Sequence, residues 1–203
     1  MLKSYFTTAL RALKRNWNYT IINVVGLTFG LACCLLLFLA IRYELSYDRH
    51  HANADRTYRL ITFNKKSTDE GRNTGVPLPA LAALRNDFPE LKHQLTLVYE
   101  LYGALVRVND KKSSKFQEET GVVTFVEPEF FRVFDYHWDK GNPATAVKNP
   151  NTVVLSERVA HKYFGNADPI GKSIRIENKM DFVVTGVVQN PPATSSVPFE
   201  VLL

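Results

Sequence analysis

The chain has 203 residues, with 25 Lys and Arg, 20 Asp and Glu, and a formal net charge of +5. The whole excess lies in residues 1–43, which hold five basic and no acidic residues, so the remaining chain is balanced at twenty of each sign. A balanced domain has no net field that attracts phosphates, which argues against nucleic acid as a partner. The length is enough for one ordinary domain or two small ones beyond residue 43.

Residues 1–16 predict a cytoplasmic amphipathic helix. Apolar residues recur at helical spacing over four turns, while Arg11, Lys14 and Arg15 occupy other faces. Such a helix lies along a membrane surface with its cations near anionic lipid headgroups. The alternative is a frayed basic tail.

Residues 17–43 predict a transmembrane helix. The stretch 16–41 contains 26 residues without a formal charge, enough to cross a hydrocarbon core of about 30 Å at about 1.5 Å per residue. Its alternatives are a buried helix of a soluble protein, a signal peptide, and a lipoprotein attachment site at Cys33. No small-residue cleavage site follows the stretch, and no polar stripe marks one face.

The flanks of this stretch set its expected orientation. Four of the five basic residues precede it, which by the positive-inside rule places the N-terminus in the cytoplasm and residues 44–203 outside. The predicted interface anchors are Arg11, Lys14, Arg15, Trp17, Tyr19, Arg42 and Tyr43.

Small residues at Gly26 and Gly30 would allow a second helix to approach this one closely. A second copy of the chain is therefore an expected partner, together with membrane lipid. Both cysteines, Cys33 and Cys34, lie within the stretch, so residues 44–203 can form no disulfide.

Residues 44–203 predict a mixed α+β domain, and the pattern also permits two lobes divided near residues 90 to 110. Residues 65–75 and 141–151 are predicted loops, with turns at 109–110 and 178–179. Ser156 is the predicted N-cap of the last helix, which Gly165 closes. The predicted helices are 80–88, 129–134 and 157–164. The predicted strands are 57–64, 96–101, 104–108, 115–120, 122–126, 152–155, 173–177 and 181–188.

The segment 165–173 contains Gly165, Gly171 and Lys172 and superficially suggests a phosphate-binding P-loop. Five residues separate the glycines where the motif needs four, a helix precedes where a strand is required, and Pro169 removes an amide donor. We therefore expect no nucleotide site here. His50 and His51 are adjacent and are expected to point in different directions as solvated loop residues, and no metal, cofactor or catalytic site is predicted.

Three stretches together resemble permease subunits of the MacB/FtsX type of ABC transporter. The first is the basic amphipathic start followed by Ile22 to Gly30, and the second runs from Glu44 to Arg59 and includes Tyr47 and Asp48. The third runs from Leu155 to Lys172, includes Gly165, Pro169 and Gly171, and is similar to the MacB-like periplasmic core domain. The resemblance implies a non-enzymatic permease of the bacterial inner membrane with four spanning helices, whose large outer domain lies between the first two.

The resemblance also implies a separate cytoplasmic ABC ATPase as partner, and work outside the membrane such as efflux, lipoprotein release or mechanotransmission on periplasmic partner proteins. Relative to that family, the chain is expected to be the N-terminal part, with its outer domain incomplete at the C-terminus. The alternative function is a single-span membrane-anchored sensing or protein-interaction domain. An anchored enzyme ranks third, because the exported part shows no catalytic grouping.

Overall fold

The computed structural model describes residues 2–63, 72–73, 75–108 and 114–203. Contacts group the chain into two compact units, Met1–Tyr47 and Asp48–Leu203. Within the described residues the second unit is not divided near residues 90 to 110, so the two-lobed option is not realised.

The first unit consists of two helices, α1 (Leu2–Arg15) and α2 (Trp17–Glu44). They meet at Asn16, whose backbone φ of −108° and ψ of 47° depart from helical values. The Thr20 hydroxyl donates hydrogen bonds to the carbonyls of Asn16 and Leu13, at 3.0 and 3.1 Å. No residue of α2 is buried, and α2 is the one helix in the described part of the chain that is long and apolar enough to cross a membrane.

The second unit is built on a sheet of nine strands. The order of eight of them is β3, β6, β11, β8, β10, β9, β4 and β5, and β7 pairs with the end of β10. The β8 and β10 strands are parallel, as are β6 and β11, and the other neighbours are antiparallel. The strands are β3 (Val98–Glu100), β4 (Ala104–Val108), β5 (Lys115–Glu118), β6 (Val123–Val126), β7 (Trp138–Lys140), β8 (Thr152–Ser156), β9 (Ser173–Ile176), β10 (Met180–Val188) and β11 (Val201–Leu202).

In the described residues, three helices and a small hairpin complete the unit. The helices are α3 (Pro79–Asp87), α4 (Phe130–Val133) and α5 (Glu157–Phe164). The hairpin pairs β1 (Thr62–Phe63) with β2 (Arg72–Asn73). Single turns of 3-10 helix occur at Ala54–Arg56 and Pro89–Leu91.

Strand β8 lies between two hydrophobic clusters. Val153 and Leu155 join the cluster that includes Val159, Ala160 and Tyr163 of α5, while Val154 points into the cluster around Phe130 of α4. Successive side chains of a strand alternate between faces, so a strand covered on both faces must be apolar throughout. This requirement explains the uninterrupted Val-Val-Leu run.

The last third of the domain matches the sequence expectations most closely. Helix α5 has the predicted bounds, and the Ser156 hydroxyl caps it by accepting the Val159 N–H at 3.2 Å. Gly165 ends the helix with a positive φ of 60°. Glu177 and Asn178 adopt left-handed conformations in the turn between β9 and β10.

Several elements differ from expectation. Of residues 57–64, only Thr62–Phe63 form a strand, and residues 72–73 of the predicted loop form its partner. Strands β7 and β11 were not predicted. Residues 64–71 and 74, and the predicted turn at 109–110, lie outside the described part of the chain.

Candidate functional site

The candidate site is the point where the chain enters the sheet domain, four residues after the end of α2. Five residues form it, and we call them the N-terminal clamp: Asp48, His51, Ala52, Asp135 and Ser196. Asp48 has a backbone φ of 57°, a left-handed conformation that Asp tolerates better than most residues because its short side chain bonds locally.

Asp48 attaches this segment to the loop after β10. Its N–H donates to the Thr194 carbonyl at 2.9 Å. Its carboxylate accepts the Ser196 N–H at 2.8 Å and the Ser196 hydroxyl at 2.5 Å. A charged acceptor strengthens both side-chain bonds. Three hydrogen bonds thus join Asp48 to Thr194 and Ser196, and the two bonds to Ser196 link positions that are 148 residues apart in sequence.

His51 and Ala52 attach the same segment to the residue that follows α4 and Phe134. The His51 Nδ1 accepts the Asp135 N–H at 3.0 Å, and the Asp135 carboxylate accepts the Ala52 N–H at 2.6 Å. The Phe134 ring lies edge-on to the His51 imidazole, with ring centroids 5.5 Å apart. The start of the domain is therefore held from two sides, by the loop after β10 and by the end of α4.

The structure corrects the expectation for the two histidines. His51 is only 6% exposed, so it is a core residue rather than a solvated one. The His50 and His51 rings do not point apart either, since their centroids lie 3.9 Å from each other. Adjacent side chains diverge on a regular helix or strand, but residues 48–51 form turns, where that rule does not hold.

Asp48, His50 and His51 place potential metal ligand atoms within 4.8 Å of one another. The hydrogen bond from Asp135 leaves the Nδ1 of His51 as the acceptor, and a neutral imidazole then carries its proton on Nε2. A metal ion would have to displace that proton or that bond. The arrangement is therefore suited to a hydrogen-bonded clamp rather than to metal ligation.

The environment of His51 favours its neutral form. Burial, and then the neighbouring His50, lower the pKa of the His51 imidazole from its ordinary value of 6.5, and the carboxylates of Asp48 and Asp135 together with the Asp135 backbone oppose this shift without reversing it. Its Nε2 atom is buried and has no hydrogen-bond partner among the described residues.

Residues 165–172, the end of the third stretch of the sequence analysis, form the connection between α5 and β9. The N–H of Gly171 donates to the Val184 carbonyl at 2.8 Å, and the N–H of Lys172 donates to the Pro169 carbonyl at 3.0 Å. The Lys172 ammonium lies over the Phe164 ring, 4.9 Å from its centroid. The segment is thus a turn that is hydrogen-bonded to β10, and Gly165 and Gly171 supply its positive φ angles.

The predicted membrane-facing residues lie in the first unit. Trp17 and Tyr19 are exposed near the start of α2, and Tyr43 near its end lies edge-to-face with Tyr47, with ring centroids 5.6 Å apart. The side chains of Arg11, Lys14, Arg15 and Arg42 are also exposed. Their location at a membrane interface stays a prediction.

Gly26 and Gly30 face an open groove along α2. It is lined by Ile22, Asn23, Gly26, Leu27, Gly30, Leu31 and Cys34. A Cβ atom added at either glycine would meet nothing within 4 Å. Close packing of a second helix in this groove stays a prediction as well.

Sequence reasoning identified Asp48 but missed its partners. Asp135 is an acidic residue that follows Phe134, and Ser196 is a serine in a Pro-rich loop. Residues of both kinds are common at protein surfaces. Nothing local distinguishes them, because their role depends on contacts across 84 and 148 residues. The one local signal was the pairing of an acidic residue with two histidines just after an apolar helix.

Comparisons with known proteins place the chain in a family. The family described as MacB-like periplasmic core domain matches residues 20–203. No curated protein sequence matches the chain.

Three solved structures are similar to it. A domain of a permease protein from Porphyromonas gingivalis has 23% identity and a TM-score of 0.45, with 57% of this chain and 54% of that chain covered. The periplasmic region of MacB from Actinobacillus actinomycetemcomitans has 21% identity and a TM-score of 0.40, with 53% and 45% covered. The extracellular domain of the noncanonic ABC-type transporter YknZ from Gram-positive bacteria has 12% identity and a TM-score of 0.42, with 63% and 61% covered.

In each case the chain spans less than two thirds of the other structure's length. The match over residues 20–203 includes most of α2 and all of the sheet domain, and it confirms the resemblance drawn from the three sequence stretches. The chain belongs to the MacB-like periplasmic core domain family.

Proposed function

We propose that this chain is the N-terminal part of an ABC transporter permease that couples ATP hydrolysis by a cytoplasmic partner to work outside the membrane. In this proposal α2 crosses the inner membrane, α1 lies on its cytoplasmic surface, and the sheet domain lies outside. The permease family supports the partner, and the exposed apolar surface along the whole length of α2 supports the span.

The observation that carries the proposal is the N-terminal clamp. A displacement of a spanning helix does work on an outer domain only if the chain entering that domain is firmly attached to it. Residues 48–52 have such attachments, because Asp48 bonds to the loop after β10 while His51 and Ala52 bond to Asp135. The clamp thus connects the segment after α2 to two separate parts of the sheet domain.

The test measures whether ATP alters the clamp in the permease purified with its ATPase. Amide hydrogen exchange of Ala52, Asp135 and Ser196 is compared with and without ATP in lipid nanodiscs. We expect ATP to change protection at these amides. In Asp48→Ala, which loses both side-chain bonds to Ser196, ATP hydrolysis should continue while the change at Asp135 is lost.

Asp55→Ala is the matched control, because Asp55 is exposed and lies in the 3-10 turn beyond the clamp. It should respond to ATP as the wild type does. The proposal is wrong if the purified permease carries no ATP-hydrolysing partner, or if the Asp48→Ala permease responds to ATP as fully as the wild type.

A further inference from the structure

The clamp contains a titratable group whose protonation is incompatible with its hydrogen bond. Nδ1 of His51 accepts the Asp135 N–H at 3.0 Å, and only a ring nitrogen with a free lone pair can accept that bond. A proton taken from solvent onto Nδ1 would make this atom a donor, so that two N–H groups would face each other. The bond between residues 51 and 135 would then be lost.

The surroundings compensate the charge of a protonated ring only in part, since the net shift of the His51 pKa is downward. The His51 side chain is buried, and its Nε2 already lacks a hydrogen-bond partner among the described residues. Two titratable groups face it from its own segment, Asp48 and His50, and one faces it from the segment after α4, Asp135. Both carboxylates are already bonded, Asp48 to Ser196 and Asp135 to the Ala52 N–H.

We propose that His51 makes the N-terminal clamp acid-labile: when the surrounding pH falls and the ring takes up a proton, residues 51–52 separate from Asp135. The bonds from Asp48 to Ser196 include neither His51 nor Asp135, so they persist. Acidification therefore releases one of the two attachments and leaves the other. This inference concerns the folded chain alone and stands whether or not the proposed coupling to an ATPase holds.

The direction of the effect follows from the lowered pKa of His51. A free histidine takes up its proton near pH 6.5, whereas the ring in the closed clamp does so only at lower pH. The closed clamp is thus fully favoured above pH 6.5 and is weakened as pH falls through the lowered pKa of the closed state. Between these two values the opening equilibrium rises by up to about tenfold per pH unit.

The experiment measures amide exchange in the full chain in detergent micelles at about pH 7.5 and about pH 5, corrected for the intrinsic rates. Protection of the Asp135 and Ala52 amides should fall by about tenfold on acidification. Protection of the Ser196 amide, held by Asp48, should stay within about twofold and serves as the internal reference.

Two variants isolate the group responsible. His51→Asn places an oxygen near the position of Nδ1 that accepts the same bond and does not titrate, so the pH effect at Asp135 should vanish. His50→Asn leaves the His51 ring in place, so the effect should remain. Equal loss of protection in wild type and His51→Asn, or no loss in wild type, overturns the proposal.

A measurement on the wild type alone keeps the proposal testable if His51→Asn fails to fold. The ring nitrogen chemical shifts of His51 report which nitrogen carries the proton and at what pH the second one binds. We expect a neutral ring protonated on Nε2 at neutral pH, with titration below pH 6.5. A ring protonated on Nδ1, or one that titrates at or above that value, overturns the proposal.

Discussion

Glu118, at the end of β5, shows how a single carboxylate is kept inside the domain. It is only 5% exposed, and it accepts two hydrogen bonds from the Lys162 ammonium, at 2.7 and 2.8 Å, and one from the Tyr163 hydroxyl at 2.8 Å. Buried charges are tolerated when they are paired and fully hydrogen-bonded. Glu118 therefore fixes the edge of the sheet to helix α5.

Replacing Glu118 by Ala should lower the free energy of unfolding by about 1–3 kcal/mol, because the Tyr163 hydroxyl is left buried without its acceptor. Lys162 is 43% exposed and can return to solvent, which limits the loss. Thermal unfolding of the full chain in detergent measures the effect. Asp181→Ala removes the exposed ion pair with Arg175 and should leave the unfolding midpoint nearly unchanged. Equal shifts of the midpoint in Glu118→Ala and Asp181→Ala would contradict the role given to the buried Glu118 carboxylate.

At the scale of elements, the backbones of the β7 end and of β10 approach each other closely at Gly141. Gly141 follows β7 with a φ of 91°, and a Cβ atom there would lie 2.5 Å from the Thr185 carbonyl oxygen and 2.8 Å from the Gly186 Cα. These neighbours are backbone atoms of β10 and cannot rotate away. Both the positive φ and the close contact require glycine at this position.

Gly141→Ala and Gly171→Ala separate these two requirements. Gly171 also has a positive φ, 77°, but a Cβ atom there would meet nothing within 4 Å. Gly171→Ala should cost about 1–2 kcal/mol from backbone strain alone. Gly141→Ala should lower the free energy of unfolding by about 1–3 kcal/mol more than Gly171→Ala, because its Cβ atom would collide with β10. Urea unfolding of both variants measures the difference, and equal costs would show that the contact with β10 does not matter.

Elements that depend on local signals were predictable from the sequence. The Ser156 cap, the Gly165 stop and the apolar run of β8 all appear where local chemistry places them. Residues 57–61 show the limit of this reasoning, because a strand-forming composition yields a strand only where an edge is available to pair with. Tyr58, Leu60 and Ile61 are instead exposed. Strand β11 was missed because its two residues form a strand only by pairing with the distant β6 and β8.

The candidate site was predictable only in part for the same reason. Asp48 stands out beside an apolar helix, but its bonds to Ser196 exist only after the sheet has brought the end of β10 to the start of the domain. The burial of His51 depends likewise on the placement of α4 and Phe134. Local reasoning assigned both histidines to solvent because it could not include these contacts.

At the scale of the whole molecule, the proposed membrane orientation rests on where the net charge and the apolar surface lie along the chain. The net charge of +5 belongs to residues 1–43, and α2 is apolar with none of its residues buried. The sheet domain has a balanced charge and its own hydrophobic core. These properties predict that the basic end stays in the cytoplasm and the balanced domain is exported.

The central claim is this orientation, and cysteine labelling in intact spheroplasts tests it most directly. In a Cys33→Ala, Cys34→Ala background, single cysteines are placed at Tyr102, 89% exposed in the sheet domain, and at Tyr5, 73% exposed in α1. A membrane-impermeant maleimide should label Tyr102→Cys before lysis and Tyr5→Cys only after it. Labelling of Tyr102→Cys only after lysis, or of Tyr5→Cys in intact spheroplasts, would contradict the account.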